Sequence, residues 1–191
     1  MQYNPDIHHR HCFRLKDYNY SLCGIYFITI RTNRKQRLFG EIQNRTMNLN
    51  TVGIMVNRWL DESTRKFPAI DIDSRIIMPD HIHFIILIKN RIIEDICIDK
   101  DESIIECAPM IEGIPLTPGA HTGAPLHEVI QWFKTMTTNE YIKGVKTRIF
   151  KPFDRQIWQR SFYDRIIRNE QELHHIRKYI IDNPMNVDSP T

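Results

Sequence analysis

The stretch "AIDIDSRIIMPDHIHFIILIK", Ala69 to Lys89, consists of two apolar runs separated by Pro79 and Asp80. Runs of this length rich in isoleucine and phenylalanine are typical of β-strands, and a proline followed by an aspartate is typical of a tight connection. We therefore predict two antiparallel strands that form a hairpin. The second strand carries two histidines, His81 and His83, in an otherwise almost wholly apolar run.

The rest of the chain supplies further strands and helices around this hairpin. Strand-type residues precede it, and helical spacing of apolar residues recurs three times. The predicted elements are strands at 24–32, 69–78, 81–89 and 155–167, helices at 48–67, 126–144 and 169–184, and a small hairpin or a loop at 37–50. The order βαββαβ followed by a helix predicts the α+β class, with a ferredoxin-like antiparallel sheet and two helices on one face. The last helix is then free to cover the other face.

Polar residues mark the ends of two of these helices. Asn50 or Thr51 is the candidate N-cap of the first helix. Asn169 is the candidate N-cap of the last one, where Glu172 completes a capping-box pattern and Pro184 ends the helix.

The composition indicates one domain. The chain has 191 residues, of which 41% are hydrophobic, and no apolar run reaches the length of a membrane span. The first residues are polar and basic, and the four cysteines include no close pair, so we expect a cytoplasmic, nucleoid-associated protein with free thiols and no zinc knuckle. We predict a basic arm at 1–19, one domain at 20–191 and an irregular, Pro- and Gly-rich insertion at about 90–125.

Charge is unevenly distributed, although the net charge is only +3. Basic residues concentrate in "RTNRKQR" (31–37) and in "KGVKTRIFKPFDRQIWQR" (143–160), whereas acids concentrate at 94–107. Two basic clusters beside aromatic residues are a candidate phosphate-binding surface. Solvated loops without a partner explain the same charges, and both interpretations stay open on charge alone.

The two histidines of the third strand are candidate metal ligands. Side chains alternate along a strand, so His81 and His83 point to the same face, with Cβ atoms about 7 Å apart. That separation allows both imidazoles to bind one divalent ion. A pair of structural histidines at a strand end is the alternative, since the spacing alone has low specificity.

The last helix offers further polar side chains in one line. His175, Tyr179 and Asn183 are spaced four residues apart and therefore share a helical stripe, beside an apolar stripe able to dock on the sheet. A tyrosine between such neighbours has the surroundings of a nucleophilic phenol. An ordinary aromatic anchor for the helix fits the same pattern.

These residues together resemble a known family. "MPDHIHFIILI" looks like the HUH motif (His, bulky apolar residue, His) of the single-tyrosine transposases that act on single-stranded DNA. "YSLCGIYFITIRTNRKQRLFGEI", "TGAPLHEVIQWFK" and "WQRSFYDRIIRNEQELHHIRKYIIDNP" resemble one branch, the REP-associated tyrosine transposases. The similarity runs over roughly residues 20–184, with 90–119 outside it.

The resemblance implies a role for each matching residue. His81 and His83 would be metal ligands, and Asn183 would supply a third, side-chain oxygen ligand. Tyr179 would be the catalytic nucleophile, and His175 matches a position whose role stays open. The implied ion is Mg²⁺ or Mn²⁺, although two imidazoles alone would suggest zinc.

The implied reaction is metal-dependent cleavage and joining of single-stranded, hairpin-forming DNA through a 5′-phosphotyrosine intermediate. The implied protein is a transposase without a membrane partner, acting as a monomer or a homodimer. Candidate DNA contacts are Arg31, Arg34, Lys35 and Arg37 for the hairpin and Lys146, Arg148, Lys151 and Arg155 for the flanking strand. Candidate stacking platforms are Trp158, Phe162 and Tyr163, with core packing favoured for Trp158.

Two other functions stay open on the sequence. A non-catalytic nucleic-acid-binding domain derived from a transposase would bind DNA without Tyr179 or metal. A zinc hydrolase would use His81 and His83 to activate water, but no HExxH-type base lies nearby.

Overall fold

The computed structural model describes residues 24–89 and 126–188, so the predicted arm at 1–19 and insertion at about 90–125 lie outside the described residues. The described elements are β1 (Gly24–Arg31), β2 (Gly40–Gln43), β3 (Thr46–Leu49), α1 (Thr51–Lys66), β4 (Ile70–Ile77), β5 (His81–Ile88), α2 (Leu126–Lys146), β6 (Tyr163–Ile167) and α3 (Glu170–Asp182). A short 3₁₀ segment, Asn183–Asp188, follows α3.

Four of the strands form one antiparallel sheet in the order β4-β5-β1-β6. The predicted hairpin is present as β4 and β5, and β1 lies between β5 and β6. Strands β2 and β3 pair separately as a small hairpin between β1 and α1, which decides between the hairpin and the loop expected there. The predicted α+β class and the antiparallel sheet are confirmed.

The sheet carries helices on both faces. On one face the even-numbered residues of β1 and β5, such as Ile28 and Phe84, are buried in a large core with α1 and α2. On the other face α3 covers a smaller core. Its buried members are Phe27, Ile85, Ile167, Ile176 and Ile180. The last helix therefore covers the free face of the sheet, as the sequence predicted.

Both predicted N-cap residues are confirmed, whereas the predicted capping box is not formed as expected, because the Glu172 side chain accepts from the N–H of Arg168 and not from that of Asn169. The Asn50 side chain accepts hydrogen bonds from the backbone N–H groups of Val52 and Gly53, both at 3.0 Å, so Asn50 is the N-cap of α1. Asn169 accepts from the N–H of Glu172 at 2.8 Å and caps α3. These bonds satisfy donors that have no partner within the first turn of a helix.

The fourth strand of the sheet is shorter than predicted. We expected a bent strand over 155–167, but β6 begins at Tyr163. The Lys134 ammonium donates to three consecutive carbonyl groups, those of residues 159, 160 and 161, at 2.9, 3.3 and 3.0 Å. Because these carbonyls turn toward one cation, they cannot alternate as a strand ladder requires.

Gly53 permits close contact between α1 and the segment before β2. A Cβ at this position would lie 2.2 Å from the carbonyl oxygen of Phe39 and 3.0 Å from Leu49. We expect Gly53→Ala to lower the free energy of unfolding by about 2 kcal/mol, because this overlap outweighs the helix propensity gained. Urea denaturation measures the change. Ile54→Ala, at an exposed neighbouring position, should change it by less than about 1 kcal/mol, and equal values for both variants would contradict the prediction.

Candidate active site

The histidine pair lies on the face of the sheet that α3 covers. In the register of the sheet, His83 is opposite Thr29 of β1, and His81 is opposite Arg31. The two imidazole rings are 4.6 Å apart between centroids and lie at 76° to each other. His83 is only 5% exposed. Both rings therefore point to one face, as the alternation of the strand predicted.

Each imidazole has one ring nitrogen engaged by an oxygen. His81 Nδ1 lies 2.6 Å from Asp80 Oδ1, and His83 Nδ1 lies 2.8 Å from Thr29 Oγ1. An ionised carboxylate can only accept, so His81 Nδ1 carries a proton, and in the neutral form of this ring Nε2 is the nitrogen with the free lone pair. The Thr29 hydroxyl is able to accept from His83 in the same way. This pattern is typical of metal-binding histidines, whose second nitrogen is held by an oxygen acceptor.

The electrostatic setting keeps His83 neutral and Asp80 ionised. Burial, together with the nearby positive charges of His81 and Arg31, lowers the pKa of His83 to about 3. The hydrogen bond from His81 holds the pKa of Asp80 below its usual value against the opposing effect of burial. With so low a pKa, His83 is neutral at neutral pH. The neutral imidazole is the form that binds a metal.

Helix α3 places a tyrosine beside this pair. The Tyr179 ring lies 5.5 Å from the His83 ring and 6.0 Å from the Phe27 ring, in edge-on contact with both. Phe27 in turn stacks on His83 at 5.3 Å. Tyr179 is 42% exposed, so its phenol is accessible while its ring is held by contacts. The structure thus brings Tyr179 and both histidines together.

The two other residues of the tyrosine stripe differ in their surroundings. Asn183 follows Tyr179 by one helical turn, at the end of α3, and is 7% exposed. His175 precedes Tyr179 by one turn and is exposed. In the described residues, the ring contacts of His83 are with His81, Phe27 and Tyr179, and His175 takes no part in them.

The donor types near the histidine pair can be compared with the requirements of different metals. Within 24–89 and 126–188, no three His, Cys, Asp or Glu side chains are grouped so that they could hold an ion. Most tetrahedral zinc sites are built from such a group. Two imidazoles together with an amide oxygen would leave coordination positions for water and phosphate oxygen, a donor set compatible with Mn²⁺ or Mg²⁺. In donor type, the two histidines and Asn183 are therefore compatible with the ion that the resemblance implied.

The two basic segments of the sequence meet in the structure. Asn33 N–H donates to the carbonyl of Ile157 at 2.7 Å, and Arg34 Nη1 pairs with Asp154 Oδ2 at 2.6 Å. This contact joins the two segments, and we call their exposed cations the basic surface: Arg31, Arg34, Lys35, Arg37, Lys151 and Arg155. Lys146 and Arg148 are exposed as well, at the C-terminal end of α2.

The basic surface is continuous with the histidine pair. Thr32 follows Arg31, and its N–H and hydroxyl both donate to the Asp80 carbonyl, at 2.8 and 2.9 Å. Asp80 is the residue whose side chain holds His81. The basic surface and the histidine pair are therefore neighbours, because Arg31 is also opposite His81 in the sheet.

A groove between α2 and residues 153–162 extends this surface. Its volume is about 570 Å³, and its lining includes Arg155, Arg160, Gln131 and Phe162. Of the three candidate stacking residues, Phe162 lines this groove and Tyr163 is 42% exposed. Trp158 is buried and donates to Thr137 Oγ1 at 2.9 Å, so it belongs to the core, as the sequence favoured.

Four residues of the site were not identified from the sequence. Phe27 and Thr29 share a face of β1. Their nearness to the histidines could have been predicted only if the pairing of β1 with β5 had been known. Asp80 directly precedes His81, so its position in the sequence was enough to make it a candidate partner of that histidine. Lys134 shapes residues 159–161 from a helix distant in sequence, and burial lowers its pKa to about 8. No sequence pattern marks such a residue.

Comparison with known proteins shows a relative and a fold. No protein-family model matches the chain. A protein of Haemophilus influenzae (strain ATCC 51907 / DSM 11121 / KW20 / Rd), described as an uncharacterized protein, is 36% identical over 184 residues, which cover 96% of this chain and 93% of that protein. A solved structure of the REP-associated tyrosine transposase bound to a REP hairpin matches with a TM-score of 0.50 and 19% identity, over 92% of this chain and 74% of that chain. The structural match shows the fold that the resemblance implied. None of the helices in the described ranges combines the length and hydropathy of a membrane span.

Proposed function

This chain belongs to the same family as the Haemophilus influenzae protein and has the fold of the REP-associated tyrosine transposase, and from this premise we propose that it cleaves and rejoins hairpin-forming single-stranded DNA. The nucleophile is Tyr179. The observation that carries the proposal is the contact of an accessible tyrosine with His83, whose ring in turn contacts that of His81, and each of these imidazoles has its Nδ1 atom engaged by an oxygen.

His81, His83 and Asn183 are the residues that would hold a divalent ion, Mg²⁺ or Mn²⁺. When bound, the ion supplies Lewis-acid polarisation of the scissile phosphate. Asp80 and Thr29 keep the Nε2 lone pairs of the two imidazoles available by engaging the Nδ1 atoms.

Tyr179 performs the two chemical steps. Its phenol oxygen attacks the phosphorus, the bond from phosphorus to the 3′ oxygen breaks, the leaving 3′ oxygen takes up a proton, and the phenol loses one. The 5′ end of the DNA is then joined to Tyr179 as a phosphotyrosine. In the second step a 3′-hydroxyl attacks this linkage, a strand is rejoined and the phenol is restored. Because one phosphodiester replaces another, no external energy source is needed.

The basic surface and the groove beside it supply DNA binding in this proposal. The REP-associated transposase is bound to a REP hairpin, and the exposed cations around Arg31 and Arg34 suit the phosphates of such a hairpin. The groove suits an unpaired flank, since Phe162 offers a stacking face and Arg155 and Arg160 offer charge. Both lead toward the histidine pair through Thr32 and Asp80.

A labelled hairpin tests the proposal. The wild-type protein is incubated with hairpin DNA labelled at its 3′ end, since that end stays on the covalently attached fragment, and the mixture is resolved on a denaturing protein gel. With Mn²⁺ we expect a covalent protein–DNA band, and with excess chelator at least about a 100-fold weaker one. Proteolysis and mass spectrometry should locate the nucleotide on the peptide that contains Tyr179.

Binding without a covalent band would contradict the proposal. If this result held across several hairpins and flanks, the protein would be the non-catalytic DNA-binding domain considered above. Turnover without a covalent band would instead support a hydrolase that uses water as its nucleophile.

A further inference from the structure

We propose that two ion pairs at opposite edges of the sheet position Tyr179 over the histidines, which makes Arg177, Asp73, Arg165 and Glu172 positioning residues. The inference rests on the proposed function in one respect, the role of Tyr179 as nucleophile. The position of α3 on the sheet is measurable without that role.

The first ion pair ties α3 to one edge of the sheet. Arg177 Nε donates to Asp73 Oδ2 at 2.8 Å, and Nη2 of the same guanidinium contacts Asp73 Oδ1. Asp73 lies in the edge strand β4, where the pairing with β5 shifts between Ile72 and Arg75. The hydrogen bond to Asp73 raises the pKa of Arg177. Two parallel bonds fix the orientation of the guanidinium as well as its distance.

The second ion pair ties α3 to the opposite edge. Arg165 Nη2 lies 2.6 Å from Glu172 Oε1, and Arg165 belongs to β6, the other edge strand. The second oxygen of this carboxylate, Oε2, accepts from the backbone N–H of Arg168 at 3.1 Å. Helix α3 is thus held in its first turn at one edge and near Tyr179 at the other.

Apolar packing alone leaves α3 weakly oriented. Its fully buried residues are Ile176 and Ile180, with Leu173 partly buried beside them. A helix that packs on a sheet through one narrow apolar stripe can rotate about its own axis. Such a rotation displaces the partly exposed side chain of Tyr179 more than it displaces the buried isoleucines. A displacement of about 1 Å in a reacting group can lower a rate by about 100-fold. Arg177 is two residues from Tyr179, so its ion pair restrains rotation of α3 close to the tyrosine.

A double-mutant cycle tests the first pair. We expect Arg177→Met and Asp73→Asn each to slow single-turnover formation of the covalent complex by about 10- to 100-fold. The double variant should be no slower than either single variant, because both remove the same contact. Affinity for the hairpin should change by less than about two-fold, since neither residue belongs to the basic surface. Arg177→Lys keeps the charge without the paired bonds and should restore only part of the rate.

Arg58→Met is the matched control. It breaks an ion pair of similar exposure, Arg58 with Glu140, between α1 and α2. The covalent rate of this variant should stay within about two-fold of wild type. The proposal would be overturned if the fold-reductions in rate caused by Arg177→Met and Asp73→Asn multiplied in the double variant. It would also be overturned if both single variants formed the covalent complex at the wild-type rate.

Hydrogen exchange provides a readout that does not depend on chemistry. In DNA-free protein the backbone amides of α3 should exchange faster in Arg177→Met and Asp73→Asn than in wild type, with α1 unchanged. If wild type forms no covalent complex, the proposed nuclease function fails while this exchange result still decides the positioning role. Unchanged exchange in α3 would overturn the inference even if the nuclease is active.

Discussion

Tyr179→Phe is expected to abolish the covalent protein–DNA complex and to leave hairpin binding intact. The substitution removes one oxygen and keeps the ring, so the edge-on contacts with Phe27 and His83 persist. Without the phenol oxygen there is no atom to form the phosphotyrosine. We expect the rate of complex formation to fall by at least about 1,000-fold, as losses of a nucleophile do in other enzymes.

Two assays on the same samples measure this prediction. The denaturing gel with 3′-labelled hairpin reports the covalent complex, and fluorescence anisotropy reports binding. Tyr141→Phe serves as the control, because it removes a phenol that is buried and donates to the Lys151 carbonyl at 3.1 Å. It should cost about 1 kcal/mol of stability and leave the covalent band unchanged. A persistent band in Tyr179→Phe would identify another nucleophile and refute the assignment.

The part of this site that the sequence predicted follows from periodicity. Alternation along a strand has a period of two, so His81 and His83 had to share a face wherever β5 lay in the sheet. Spacing by four residues likewise placed Asn183, the C-cap of α3, one helical turn after Tyr179. These are local rules that need no knowledge of the tertiary structure.

The part that the sequence did not predict depends on contacts between distant residues. Thr29 engages His83 across 54 positions of sequence, and it can do so because β1 pairs with β5 in one particular register. Lys134 binds three carbonyl groups that are 25 to 27 residues away in sequence, and the segment before β6 is therefore not a regular strand. Periodicity describes one element at a time, so it cannot reveal which element a side chain meets. The contact between the two basic segments through Arg34 and Asp154 is likewise a contact between residues distant in sequence, which periodicity does not predict.

Replacing either histidine is expected to have the second large effect. His81→Gln and His83→Ala each remove one of two imidazole donors, and we expect covalent complex formation to fall by at least about 100- to 1,000-fold. Hairpin affinity should stay close to wild type, because the basic surface keeps all its cations. His83 is buried, so His83→Ala should also lower the free energy of unfolding by about 1 to 3 kcal/mol. A urea curve identifies conditions in which this variant is folded.

Thr29→Val separates the orientation of an imidazole from its presence. The substitution keeps the shape of the side chain and removes the oxygen that lies 2.8 Å from His83 Nδ1. Loss of such a partner typically weakens metal binding by about 10- to 100-fold, so Thr29→Val should need that much more Mn²⁺ for half-maximal complex formation. At saturating Mn²⁺ its rate should approach wild type, whereas His81→Gln should stay slow. If Thr29→Val and both histidine variants matched wild type at every Mn²⁺ concentration, the two imidazoles would be structural, and the chemistry assigned to them would be wrong.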